Sequence, residues 1–240
     1  MCMGDMNNGV SMLQTYSDIA AETKARVLSF INRLNVHSAL AGAGIIAPLM
    51  LAIGDLTAGF STPGYSILHN SISSLALTRI GWLQTIGFLA LGLLVEIFTA
   101  GLLFNIKRFR AFHLGIGILV VFGFALLCIG AFRTDPVGAV RTIEGRIHGF
   151  TASTAFSLFP VALLFLIPSM RNDDNWKCLL RYTAVTFILA VVFIVALRIM
   201  QEQNNWFGMV ERLLVLNMMI WVEVSAIRLF IISLRRKPRI

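Results

Sequence analysis

Charge is what this 240-residue chain has least of: 13% of its residues are Asp, Glu, Lys or Arg, 57% are hydrophobic, and the mean hydropathy is +0.80. That scarcity excludes an ordinary soluble domain, in which about 25% of residues are charged. Cysteine is equally sparse. Cys2, Cys128 and Cys178 fall in an N-terminal tail, an apolar run and a charged loop, with no C-x-x-C spacing, so free thiols are expected and no cysteine metal cluster is. There is no G-x-S-x-G elbow, no separate soluble domain, and no clear repeat between halves of the kind many transporters carry. Residues 1–36 lack a secretory signal's short apolar core and small-residue cleavage site, so the first span is expected to act as an uncleaved anchor. Acidic residues are the rarer sign, 12 against 20 basic, for a net charge of +8. In so apolar a chain, basic excess sets topology or meets anionic lipid, and no nucleic-acid partner is expected.

What the chain does have is long apolar runs. A bilayer core about 30 Å thick takes about 20 apolar residues per helix, and six runs qualify: 38–60, 82–105, 113–132, 149–169, 183–200 and 213–234. The reading is an all-α, polytopic six-helix membrane bundle over 37–234, with a short basic tail from 235 to 240. Ahead of it, in segment 1–36, Leu13, Ile19, Val27, Phe30, Ile31 and Leu34 alternate with basic residues over 12–34, the pattern of an amphipathic helix lying on the membrane surface.

Thirteen Lys and Arg residues fall on the side of the termini, against six (Arg79, Arg133, Arg141, Arg146, Arg198 and Arg212) on the other, so both termini are expected in the cytoplasm of a multi-pass cell-membrane protein. Three polar connections then face outward: 61–81 with Tyr65, His69 and Asn70; 133–148 with Arg133, Asp135, Arg141, Glu144 and His148; and 201–212 with Glu202, Trp206, Glu211 and Arg212. Asp55, near the end of the first span, points to the same level.

An ordered set of motifs runs through these spans: GD at Gly54, PGYSILHNSISSLAL from Pro63, GW at Gly81, GAFRTDP from Gly130, IHG from Ile147 and GMVERL from Gly208. Together they resemble the bacterial and archaeal membrane proteins grouped as domain of unknown function 998, over roughly 45–225. The resemblance implies a six-span fold with its polar motifs on one side, and implies no activity.

If 141–148 is helical, Arg141, Glu144 and His148 share a face at i, i+3 and i, i+4 spacing. A carboxylate there would orient or tune an imidazole, making His148 a candidate general base with Asp135 and Glu144 as its partners. The plainer reading is an ion cluster at a helix start. Serines 71, 73 and 74 invite a nucleophile reading but more often cap a helix. His69 and His148 with Asp135 or Asp55 have acceptable zinc-ligand chemistry but no metal-motif spacing, and the four histidines stand at span ends, where haem ligation is poorly placed. No metal is therefore assigned, and the cofactor is left open. Inside the spans, Glu96 and Arg228 lie about 13 Å and 9 Å from the inner ends at about 1.5 Å per residue, and the expectation is an intramembrane ion pair, since an isolated charge there is costly. Glycines 42, 44, 87, 92, 101, 115, 117 and 123 read as close helix packing.

The functional expectation is one outward pocket lined by Asp55, His69, Arg133, Asp135, Arg141, Glu144, His148, Glu211 and Arg212. It would bind an anionic group such as a lipid headgroup, or serve a subunit of a larger membrane complex. The alternative is an enzyme acting on a lipid at the outer leaflet, with His148 as base.

Overall fold

The computed structural model describes residues 19, 21–200 and 205–235; Cys2, Leu13, Glu202 and the tail beyond Arg235 lie outside them. Helix α1 covers residues 21–31 and is exposed, with Val27, Leu28 and Ile31 uncovered and Phe30 against Phe230 at 6.3 Å between ring centroids. Six helices long and apolar enough to span a membrane follow: α2 (Val36–Ser61), α3 (Trp82–Asn105), α4 (Phe112–Ala131), α5 (Ile143–Arg171), α6 (Leu180–Ile199) and α7 (Phe207–Arg235). The described residues contain no strand. The chain is an all-α polytopic bundle.

Two of the six start well before the apolar run, at 143 where 149 was expected and at 207 where 213 was expected. Helix α5 begins at Ile143 because Thr142, extended at φ −80°, caps it by accepting from Gly145 N; Asp135 and Arg141 therefore precede the helix, and Arg141 does not share a helical face with Glu144 and His148. Helix α7 begins at Phe207, which puts Glu211 and Arg212 in its second turn. Capping and tertiary bonds extend these helices past the apolar limit that sequence windows detect.

Each helix packs on the next in sequence, and α7 returns to α2 to close a six-membered ring. The ring is filled by Phe122, Phe159 and Trp221, whose rings lie 5.3 and 5.6 Å apart in sequence and join α4, α5 and α7. Lipid tails are as apolar as these helices, so dispersion contacts and interhelical hydrogen bonds hold the ring more than burial does. Two such bonds tie α7 to the first half of α6: Trp221 Nε1 donates to Thr183 Oγ1 at 3.0 Å and Asn217 Nδ2 to the Thr186 carbonyl at 3.0 Å. Gly42 and Gly117 face open space rather than a neighbouring helix, which corrects the packing role expected for them.

The alternation of spans puts connections 106–111 and 172–179 at the end where α2 begins and α7 finishes, and 62–81, 132–142 and the start of α7 at the opposite end. Glu96 and Arg228 are not an ion pair, contrary to expectation. Helices α3 and α7 both flank α2 and meet each other sparsely, as where Gly101 lies beside Leu229. Arg228 reaches the 172–179 connection and donates Nε to the Asn175 carbonyl at 2.7 Å. Glu96 turns the other way, against α4, where a Cβ on Gly123 would stand 2.7 Å from its Oε1.

Candidate functional site

The end of the bundle where α2 finishes and α7 begins is built by three interlocking pieces of backbone. Pro63 and Gly64 occupy the centre of a turn closed by Tyr65 N donating to the Thr62 carbonyl at 3.2 Å, with Gly64 at φ +76°, the geometry of a type II turn. The turn brings Tyr65 to α7. There Arg212 is saturated: it pairs with Asp55 at 3.2 Å, donates to the carbonyls of Ile67 and Asn70 at 2.9 Å each and of Gly208 at 3.2 Å, and donates to the Tyr65 hydroxyl. The Tyr65 hydroxyl in turn donates to the Ser71 carbonyl at 2.9 Å. Burial pushes the Tyr65 phenol above its ordinary pKa, outweighing the nearby Arg212 cation, so it stays protonated as that donor. Gly208 admits this arrangement, since any Cβ there would collide with the Asn70 carbonyl.

Beside this clasp, Glu211 Oε2 accepts from Ile72 N at 2.7 Å and so anchors the short 3-10 helix Ile72–Leu77. Ser71 caps that helix by accepting from Ser74 N at 3.2 Å, and Ser74 Oγ donates back to the Ser71 carbonyl at 2.7 Å. Two of the three serines thus serve the turn, while Ser73 faces a cleft.

That cleft, about 600 Å³, lies among α5, α6, α7 and the 3-10 helix. Its polar lining includes Arg141, His148, Ser153, Arg198 and Glu211, and its apolar side Phe156, Ile194, Leu197 and Phe207. His148 is 5% exposed and its Nδ1 lies 2.9 Å from the Phe132 carbonyl. A carbonyl only accepts, so Nδ1 carries the hydrogen, and in the neutral ring Nε2 is left as the basic atom.

The single pocket expected from sequence is divided. His148, Arg141 and Glu211 line the cleft. Asp135 does not: its two carboxylate oxygens accept from Thr142 N at 2.9 Å and Thr142 Oγ1 at 2.8 Å, and it packs on Gly145 where no Cβ would fit. It shapes the 132–142 rim and the start of α5. Glu144 is exposed one turn before the buried His148 and makes no ion pair with it. His69 and Arg133 are exposed, His69 on the turn above the clasp. Asp55 and Arg212 bind each other on the α2 and α7 side, where they border a separate apolar groove of about 380 Å³ that also contains Glu223. Among the described residues no three His, Cys, Asp or Glu side chains converge as metal ligands.

Sequence alone placed Arg198 on the outward side without assigning it to the site, and did not single out Gln84. Arg198, in the last turn of α6, donates to Ser153 Oγ on α5 and lines the cleft; its signal was an arginine ending an apolar run on the polar side. Gln84 is buried on α3 with both amide atoms unpaired among the described residues, beside a void of about 10 Å³ shared with His148 and Ser73. A lone amide in an apolar run was the clue.

No curated protein and no solved structure matches this chain. The model of the family described as "Protein of unknown function (DUF998)" matches residues 45–228, which takes in the motifs of the clasp, the cleft rim and His148. The chain belongs to that family of membrane proteins.

Proposed function

We propose that the cleft binds the anionic headgroup of a membrane lipid, with Arg141 and Arg198 as its charge partners, and that the cleft faces away from the cytoplasm with both termini inside. The observation that carries this reading is the two-sided lining: guanidinium groups and serine hydroxyls beside Phe156, Ile194, Leu197 and Phe207. Guanidinium matches phosphate oxygens bidentately, and an apolar wall next to it suits the first carbons of an acyl chain. Arg212 has no part in it, because Asp55 and three carbonyls already occupy its donors.

The test is lipid co-purification and binding in nanodiscs containing phosphatidic acid or phosphatidylglycerol, against phosphatidylcholine alone. Anionic lipid should be retained, and R141Q with R198Q should lower retention about tenfold or more, as loss of charge-assisted bonds of about 1.5–3 kcal/mol implies. Equal retention of the zwitterionic lipid would sink the reading. Sidedness is tested by an impermeant thiol reagent on whole cells: Val140→Cys on the cleft rim should label, and Cys178, exposed at the opposite end, should not.

One observation favours a second reading, catalysis on the bound lipid. The Phe132 carbonyl fixes the His148 tautomer so that Nε2 is the basic atom, the arrangement a general base needs. Turnover of a bound anionic lipid that is lost in H148N, with binding retained, would select this reading over simple binding.

A further inference from the structure

We propose that the ligand of the cleft is a tailed anion that enters sideways from the lipid, between the outer halves of α5 and α6, and that the Arg198 to Ser153 hydrogen bond is the latch on that opening. The inference rests on the cleft being an anion site, and it adds the route and the need for a tail.

Helix α6 carries the argument. In the segment Lys177–Ile199, 17% of the most apolar stretch is buried, against 33–50% in the other five spans. Its buried residues are Thr183 and Thr186, in the half nearer the connection from α5, and Ala190 at the midpoint. That half is bonded to α7 through Trp221 and Asn217. From residue 191 to Ile199 no residue is buried. One stripe of this outer half, Val192, Val195 and Ile199, is exposed on the flank of the bundle. The opposite stripe continues Ala190 through Ile194 and Leu197, which are half-buried against the core and also line the cleft. The outer half is therefore apolar on both sides, with lipid expected on one and the cleft on the other. A helix packed on a closed bundle has its apolar inner stripe fully covered by protein; here that stripe is only half covered and borders a cavity.

The polar bond that crosses from this outer half to α5 is Arg198 to Ser153 Oγ. Helix α6 is thus pinned at one end and latched at the other. The latch cation is also one of the two that the proposed headgroup would meet, so an arriving anion competes with Ser153 for the same guanidinium. The apolar walls, Phe156 on α5 against Ile194 and Leu197 on α6, suit a hydrocarbon tail passing between the helices while its headgroup stays at the level of Arg141. A soluble anion would need none of this.

The experiment uses the full chain in nanodiscs, with Cys2, Cys128 and Cys178 replaced by serine and with Ala152→Cys and Leu197→Cys placed on facing sides of the seam. Exchange of fluorescent phosphatidic acid between nanodisc and cleft is followed before bridging the two thiols with a short reducible bis-thiol reagent, after bridging, and after reduction. Bridging should slow exchange at least tenfold, trap lipid already bound, and be reversed by reduction; the reversal shows that the chain stayed folded throughout. A second variant, S153A, keeps both arginines and removes the latch, and should speed lipid entry several-fold, with affinity held or raised because Ser153 no longer competes for Arg198. Inorganic phosphate at millimolar concentration is the tailless probe and should displace little lipid. Exchange unaltered by the bridge overturns the lateral route while leaving headgroup binding intact. Displacement by inorganic phosphate makes the ligand a soluble anion and overturns the need for a tail. Finding no lipid in the cleft at all overturns both this inference and the function on which it rests.

Discussion

The two ends of the bundle use similar polar chemistry toward opposite results. At the end where α2 begins and α7 finishes, polar side chains are committed to backbone. Trp176 Nε1 donates to the Asn105 carbonyl at 3.0 Å, Asp173 accepts from Lys107 N at 2.8 Å, Ser169 Oγ accepts from Phe109 N at 3.2 Å, and Arg228 holds the Asn175 carbonyl. Trp176 and Ser169 are fully buried. At the opposite end the same bonding stops halfway round. The Arg212 clasp locks α2, α7 and the 62–71 turn, whereas the α5 and α6 side leaves Arg141, Arg198 and His148 around a cleft of about 600 Å³. Charged groups on a locked side are explained by the bonds they make. On the open side Arg198 reaches Ser153 and still lines the cleft beside Arg141, and that difference is what supports the proposed site.

The comparison can be broken most forcefully at the clasp. The Asp55 and Arg212 side chains are 18% and 14% exposed, so R212Q strands a mostly buried carboxylate, and removing one partner of such a pair costs about 3–5 kcal/mol. Thermal unfolding in detergent should show it, and R212K should recover only part of the loss because an ammonium cannot replace the guanidinium fork. A small effect from R212Q would mean that the clasp does not lock that side. At the sealed end, W176F leaves the Asn105 carbonyl unpaired in a buried place, a cost of about 1–3 kcal/mol. Anionic-lipid binding should be unchanged, since the cleft is at the other end; lost binding with intact folding would blur the distinction between the ends.

A smaller change sharpens it. T142A removes the cap of α5, worth about 1 kcal/mol, and frees Asp135 and the cleft rim. It should therefore lower both melting temperature and lipid retention modestly, whereas a cap lost elsewhere would lower only the first. The smallest effect expected is a pH dependence confined to the clasp. The Tyr65 pKa is raised on folding, so the stability linked to it is present below the ordinary tyrosine value of about 10 and is lost as pH rises through the higher folded value. Unfolding midpoints measured across alkaline pH should fall less steeply in Y65F than in the unaltered chain, and parallel slopes would remove Tyr65 from the clasp.

Composition and hydropathy alone determined the class of this protein, the number of its spans and, within a few residues, the limits of α2, α3 and α4, because an apolar run of about 20 residues has few stable alternatives in a bilayer. The ordered motifs also pointed to the end of the bundle where ionisable groups gather, and to His148. Which of those groups face one another was not legible. Asp135 and Thr142 are seven residues apart, yet their bond removes Asp135 from the cleft and starts α5 before its apolar run begins. Glu96 and Arg228 lie at comparable depths, but depth carries no information about direction around a helix axis, and the ring order turns them to different neighbours. Arg212 and Arg141 are alike in a sequence; one is saturated by Asp55 and three carbonyls and the other borders an open cleft. Hydropathy is a local sum along the chain, whereas the partner of a polar side chain is set by helix rotation and by the path of loops from distant segments, which only the folded ring decides.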